Sequence, residues 1–377
     1  MKKVLATAAG LMLVGTMVST AAAKIDLTGS ARLRGYVERN YDAGLTNPRT
    51  NEIDDKIHTR FRVKIKASTE SGVYGEAQIK LSEGTMDGGA NTDNAITGDY
   101  GYLGVPLGPV TLEGGHKPID ATPFFFYDRS SDVVLLKYVN DMTLAQVFYI
   151  KAQEYAGTAA DLIDDEDINI YAAYLNQKFG ADMALTAFVW YLSDETNSDN
   201  SGFAGTIKFD APNAGPVALT AEFAYTSEEV TAGPDAGFGG YVQGAMNFGA
   251  ASVLVNVGAT VDGYVADDDF GFIMIGGASS ITPAVTEQVG AINGAAQDTV
   301  WGGATFGYKI SDKMSVKGNL VYVDADIVTA FEASAKFTYV IVDGAKFTTD
   351  LGYLMLDADS FDTEDPFGAA FTLSVSF

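Results

Sequence analysis

From Lys24 to the C-terminus, apolar and polar residues alternate in segments of about nine to thirteen positions, the length of a tilted membrane strand. In the first segment Ile25, Leu27, Gly29, Ala31, Leu33 and Val37 share one face, and Asp26, Thr28, Ser30, Arg32, Arg34 and Glu38 the other. The next sets Ile57, Thr59, Phe61, Val63, Ile65 and Ala67 against His58, Arg60, Arg62, Lys64 and Lys66. Phe203, Gly205, Ile207 and Phe209 oppose Ala204, Thr206, Lys208 and Asp210, and the chain ends on Phe367, Ala369, Phe371, Leu373, Val375 and Phe377 against Thr372, Ser374 and Ser376. Segments 132–140 and 143–154 alternate poorly, and the pattern does not fix their facing.

The connections fall into two classes. Short turns are expected at 69–72, 106–109, 140–142, 180–182, 211–216, 249–250, 311–313 and 343–344. Between them lie longer, acidic, Gly/Asn/Thr-rich stretches such as 40–56, 83–97, 157–167, 265–298 and 357–366, so that short and long strictly alternate. That asymmetry predicts an all-β, antiparallel transmembrane barrel with short periplasmic turns and longer extracellular loops. Eight hairpins and one further strand at each end give about eighteen strands, both termini being periplasmic. Reading one doubtful hairpin differently gives about sixteen. The doubtful stretch is 265–298, where 270–275 is assigned to a loop rather than a strand, with a short helix near 284–292. A soluble sandwich also has one polar face per sheet. The turn asymmetry, the export signal described next and the alternation up to the terminal Phe377 favour the barrel.

Residues 1–23 read as a secretory signal peptide: Lys2 and Lys3, an apolar stretch from Val4 to Val18, and a small-residue cleavage site at Ala21, Ala22 and Ala23. The barrel domain is then 24–377. With 24 Lys+Arg against 49 Asp+Glu the formal charge is −25, which disfavours nucleic acid as a partner. Mean hydropathy is +0.07. No run of about 18 apolar residues marks a helical span. The chain has no Cys, which excludes disulfides, thiolate zinc, iron–sulfur clusters and covalent haem, and only two His, His58 and His116. No cofactor or metal is expected. The acidic clusters at 164–167, 267–269 and 357–365 lack calcium-loop spacing and read as solvated loop tips.

These stretches resemble the bacterial outer-membrane porins of the general diffusion type. A terminal Phe on the last strand is that family's assembly signal, and Phe377 with Val375, Leu373 and Phe371 matches it. The opening strand from Leu27 to Val37 followed by the basic strand from His58 to Lys64, the Tyr100-Gly-Tyr-Leu-Gly-Val stretch, the stretch from Val110 to Lys117 and that from Asp128 to Tyr138 look like further porin landmarks. The resemblance covers roughly residues 24–140 and 367–377 and is architectural between them. It implies a homotrimer in the bacterial outer membrane, in contact with lipid and lipopolysaccharide and inserted by the barrel assembly machinery. One departure is the third loop, about 118–131, which is short and lacks the family's long acidic run.

The candidate site is a basic belt. Inward residues on one strand are about 6.8 Å apart, and adjacent unit charges at that spacing repel by roughly 0.6 kcal/mol in water and more in a drier setting. The ladder Arg60, Arg62, Lys64 and Lys66 therefore implies a wet lumen or nearby carboxylates. Arg32, Arg34 and Lys80 join it by their height on neighbouring strands, with Glu76 lower, beside Lys64 and Lys66. The resemblance places acids across the pore, and the candidates are Asp120 and Asp128 in the third loop with Glu113 below it. The run Phe124-Phe125-Phe126-Tyr127 fits either packing of the third loop on the inner wall or an outer aromatic belt. His116 reads as an ordinary polar residue at a strand end. With His58 on the lumen face and His116 after two glycines, no catalytic triad is apparent, and no enzymatic reaction is expected. The expected function is a passive, water-filled channel for small hydrophilic solutes and ions. The alternatives are a substrate-selective, possibly anion-selective, channel and a structural or adhesive barrel with a plugged lumen.

Overall fold

The computed structural model describes residues 24–39, 53–86, 96–126, 129–153, 167–180, 182–195, 200–230, 235–267, 270, 298–326, 328–358 and 365–377. The signal-peptide stretch, the helix expected near 284–292, Asp128 and most of the acidic loop tips lie outside them. The strands are β1 (Lys24–Arg39), β2 (Ile53–Ser68), β3 (Tyr74–Met86), β4 (Thr97–Leu107), β5 (Val110–Ile119), β6 (Arg129–Val139), β7 (Thr143–Gln153), β8 (Ile168–Phe179) and β9 (Met183–Asp194). They continue as β10 (Gly202–Ala214), β11 (Val217–Thr226), β12 (Gly237–Phe248), β13 (Ala251–Val261), β14 (Thr299–Lys309), β15 (Met314–Ala325), β16 (Val328–Val342), β17 (Ala345–Ala358) and β18 (Phe367–Ser376). Each pairs antiparallel with its neighbours in sequence, and β1 pairs with both β2 and β18, closing an eighteen-stranded barrel. Closure matters in lipid, where an open sheet edge would leave N–H and C=O groups without partners.

The eight short turns fall where the sequence places them, and both described chain ends share their side of the barrel. In the 343–344 turn Gly344 takes φ +78°, a left-handed conformation that suits glycine. The other end carries the longer connections with one exception. β15 and β16 are joined by 326–327 alone, so short and long do not strictly alternate. Ala325 pairs directly with Val328, and a tight hairpin needs no longer loop once the strands are in register.

The outward faces are apolar, with Ile25 67% and Val147 62% exposed. Two patches of the inward face are apolar as well. Val133, Leu135, Phe148, Ile150 and Phe188 on β6, β7 and β9 form one cluster, and Val321, Val323, Ala330, Leu354 and Leu356 on β15 to β17 belong to another. That is why 132–140 and 143–154 show poor alternation: Val134, Leu136 and Val147 face outward while Val133, Leu135 and Phe148 face inward, and both sets are apolar.

The chain end locks the seam. Gly29 N–H donates to the Phe377 carbonyl at 2.8 Å and Phe377 N–H donates to the Gly29 carbonyl at 3.0 Å. The Phe377 ring lies 6.0 Å from that of Phe61 and over Gly29, where a Cβ would collide with it.

Candidate functional site

The inward face of β1 to β4 is a charged wall. Register places Arg32 opposite Arg60, Arg34 opposite His58, Ser30 opposite Arg62, and Arg62 opposite Lys80. Like charges facing each other across strands are unfavourable unless neighbours compensate. Lower down they do: Lys64 is 2.6 Å and Lys66 4.0 Å from Glu76. At mid-height the compensation comes from two bulges. Leu81 has no partner on β2, which shifts the inward set of β3 by one residue and brings Glu83 opposite Arg60. Asp99 likewise has no partner on β3. Lys80 lies 2.9 Å from Glu83 and 3.2 Å from Asp99, and Arg62 lies 3.6 Å from each. Sequence parity alone missed Glu83 and Asp99, because a bulge reverses facing without any change in composition.

Arg32 and Arg34 are compensated less. Arg32 Nη2 donates to His58 Nδ1 at 3.4 Å, and among the described residues neither guanidinium has a carboxylate within ion-pair distance. This stretch of wall keeps surplus positive charge.

Glu113, expected as an acid facing the belt, is fully buried in the wall instead. Tyr74 donates to it at 2.5 Å, and Lys137 and Lys117 lie 3.0 and 3.2 Å away. Two ammonium groups and a phenol satisfy its charge where it stands, three residues above the periplasmic end of β5. Asp120 is exposed at the start of the third loop.

The third loop folds into the lumen and crosses it. Thr122 and Phe126 form a bridge, Ala121 N–H donates to the Phe126 carbonyl at 2.9 Å, and Phe125 N–H donates to Thr122 Oγ1 at 3.2 Å. This tight turn projects Phe124, which is fully buried, onto the far wall. Its ring centroid lies 5.2 Å from Tyr241 on β12, 6.1 Å from Trp301 on β14, and 5.4 and 4.8 Å from Tyr264 and Phe270 in the connection after β13. Tyr264 Oη donates to the Phe124 carbonyl at 3.0 Å, as does Asp267 N–H at 3.1 Å. Complete burial pushes the Tyr264 phenol well above its ordinary pKa, so it remains a donor. Gly239 makes room: a Cβ there would collide with Tyr264. Thr122 Oγ1 donates to the buried Glu222 of β11, and Phe125 and Phe126 lie 5.9 and 6.3 Å from Phe188. The aromatic run up to Phe126 thus packs the loop inside the barrel and forms no outer belt. The loop covers the apolar inner surface of β6 to β9, leaving the charged wall of β1 to β4 on its open side.

Three further inward acids were not among the sequence candidates, although their parity was readable. Glu222 accepts from Thr206 at 2.8 Å, Asp350 lies 3.2 Å from Lys336, and Glu332 accepts from Ser334. His116 does not line the lumen. It faces outward on β5, within hydrogen-bond distance of Asp132 and Ser130. Among the described residues no group of three His, Asp or Glu is placed to hold a metal ion.

A closed sheet, an apolar exterior and a charged interior crossed by an inward loop define a transmembrane β-barrel of the outer-membrane class. The fold matches solved Pseudomonas aeruginosa barrels over nearly their full length. The outer membrane protein opdK superposes with a TM-score of 0.60 at 11% identity, over 93% of this chain and 98% of that one. OpdQ gives 0.61 at 12%, over 93% and 97%. OccK5 (OpdH) gives 0.62 at 12%, over 93% and 98%. No protein-family pattern and no curated protein sequence matches the chain.

Proposed function

We propose that the chain is an outer-membrane porin, a passive water-filled channel for small hydrophilic solutes and ions. The observation that carries this reading is the arrangement of the lumen. The third loop seals one side by apolar packing, and a wall of Arg, Lys and compensating carboxylates remains on the other. A charged inner wall within an apolar exterior is stable only if water reaches it, because unsolvated charges are costly to bury. Reconstitution into a planar bilayer tests the reading. Discrete ohmic conductance steps are expected, and a folded barrel that carries no current would identify a plugged structural barrel instead.

A second reading, preference for anionic solutes, is favoured by the surplus charge at Arg32 and Arg34 beside the facing Arg60. The acidic extracellular connections oppose it at the mouth, but salt screens them over about 8 Å at physiological ionic strength. Charges inside a low-dielectric constriction are screened less. On this reading Arg32, Arg34, Arg60, Arg62, Lys64, Lys66 and Lys80 line the path, and current is blocked by carboxylate solutes at the midpoint of the pore. Assembly as a homotrimer, insertion through the barrel machinery by means of Phe377, contact with lipopolysaccharide and export by residues 1–23 complete the proposal.

A further inference from the structure

Ser130, His116 and Asp132 meet on the outer wall, away from the lumen. In the β5–β6 ladder His116 stands opposite Asp132, and Pro118 opposite Ser130. Their neighbours Ile119 and Val133 are buried on the inner face, so strand parity turns the three outward. His116 Nδ1 is 3.0 Å from Asp132 Oδ1, and its Nε2 is 3.0 Å from Ser130 Oγ. A carboxylate at Nδ1 holds the ring proton on that nitrogen, leaving the Nε2 lone pair to accept the serine proton. A nucleophile on one nitrogen and an orienting acid on the other is the geometry acyl transfer requires. The ring is also accessible: its partner on β4 is Gly101, which carries no side chain to cover it.

The height of the cluster indicates a substrate. Val134, the next outward residue below Asp132, lies opposite Tyr149. Tyr149 opens a row in which successive strands pair it with Tyr171, then Tyr191, then Phe203. Such a girdle marks the headgroup level of the membrane. Asp132 and Ser130 stand one and two outward steps beyond it, about 7 and 14 Å along the strand. On strands tilted from the membrane normal that is a wet layer at the outer edge of the headgroups.

We propose that Ser130, His116 and Asp132 hydrolyse carboxylic esters of membrane lipids at the extracellular rim, an activity separate from conduction. Ser130 Oγ bonds to the acyl carbon while its proton passes to His116 Nε2. The bond from that carbon to the alcohol oxygen then breaks, and His116 returns the proton to the departing alcohol. A water molecule, deprotonated by His116, attacks the acyl-serine, releasing the fatty acid and restoring Ser130.

The test uses the full barrel in mixed micelles of detergent and phosphatidylethanolamine, with a fluorophosphonate probe and with fatty-acid release as readouts. Labelling mapped to Ser130 is expected, together with fatty-acid release that S130A abolishes. His116→Gln should slow release by about a hundredfold or more, and Asp132→Asn should slow it less while Ser130 remains labelled. Unchanged single-channel conductance of S130A confirms that the variant is folded. Equal labelling of wild type and S130A, or no release by wild type above S130A, would overturn the proposal and leave the three residues as a hydrogen-bonded surface cluster.

Discussion

Replacing Phe124 by Ala isolates the contact that holds the third loop across the lumen. The ring is fully buried among four aromatic rings at centroid distances of 4.8 to 6.1 Å. Truncating a buried Phe to Ala costs about 3–5 kcal/mol. None of the four partners lies on the strands that flank the loop, so the cost falls on docking of the loop and the barrel ladder is untouched. The anchors that remain are the hydrogen bonds from Tyr264 Oη and Asp267 N–H to the backbone carbonyl of residue 124, the Thr122–Glu222 hydrogen bond and the packing of Phe125 and Phe126 on Phe188. Each 1.4 kcal/mol is tenfold in an equilibrium, so a loss of about 3 kcal/mol raises the undocked fraction more than a hundredfold. Single-channel recording should then show larger, noisier conductance with frequent sublevels, and the protein should remain a folded, heat-modifiable barrel. Thr122→Val, which removes the hydrogen bond to Glu222, should act in the same direction more weakly and add to the first effect. Wild-type conductance and noise in both variants would refute the view that this loop bounds the conducting path.

Replacing Arg60 and Arg62 together by Ser should widen the path and move the reversal potential in a salt gradient towards cations; unchanged values would exclude both side chains from the path. Deleting Phe377 removes the two backbone bonds to Gly29 and the ring over Phe61. Outer-membrane levels should fall sharply with export intact, and normal insertion of the truncated chain would contradict its role as the assembly signal. An epitope inserted at Glu228, on the long-connection side, should be reached by antibody on whole cells, whereas one at Asp343 should not; reversed labelling would invert the orientation. Lys336→Ala strands the carboxylate of Asp350, which is fully buried, and should cost about 1–3 kcal/mol in a thermal-unfolding assay, partly recovered by adding Asp350→Asn.

Alternation with period two is a local property, and it determined much of this protein. It placed the short turns, made eighteen the preferred strand count, and set Arg32, Arg60, Arg62 and Lys64 opposite the apolar sides of β1 and β2. Lipid demands the same apolar exterior of nearly every strand, so each segment carries the signal by itself. What covers the inner face is not local. Val133, Leu135 and Phe148 face inward because a loop folds over them, and Phe124 meets Tyr241 and Trp301 only once the barrel is closed. Glu83 and Asp99 reach the basic wall through bulges, single extra residues that leave no compositional trace. Asp132 and Ser130 meet His116 by cross-strand register, although sixteen and fourteen residues, respectively, separate them from it in the chain. Facing follows from a strand's own chemistry, whereas register, bulges and loop docking depend on partners elsewhere in the chain. That dependence is why the tertiary structure alone decided the constriction and the outer-wall cluster.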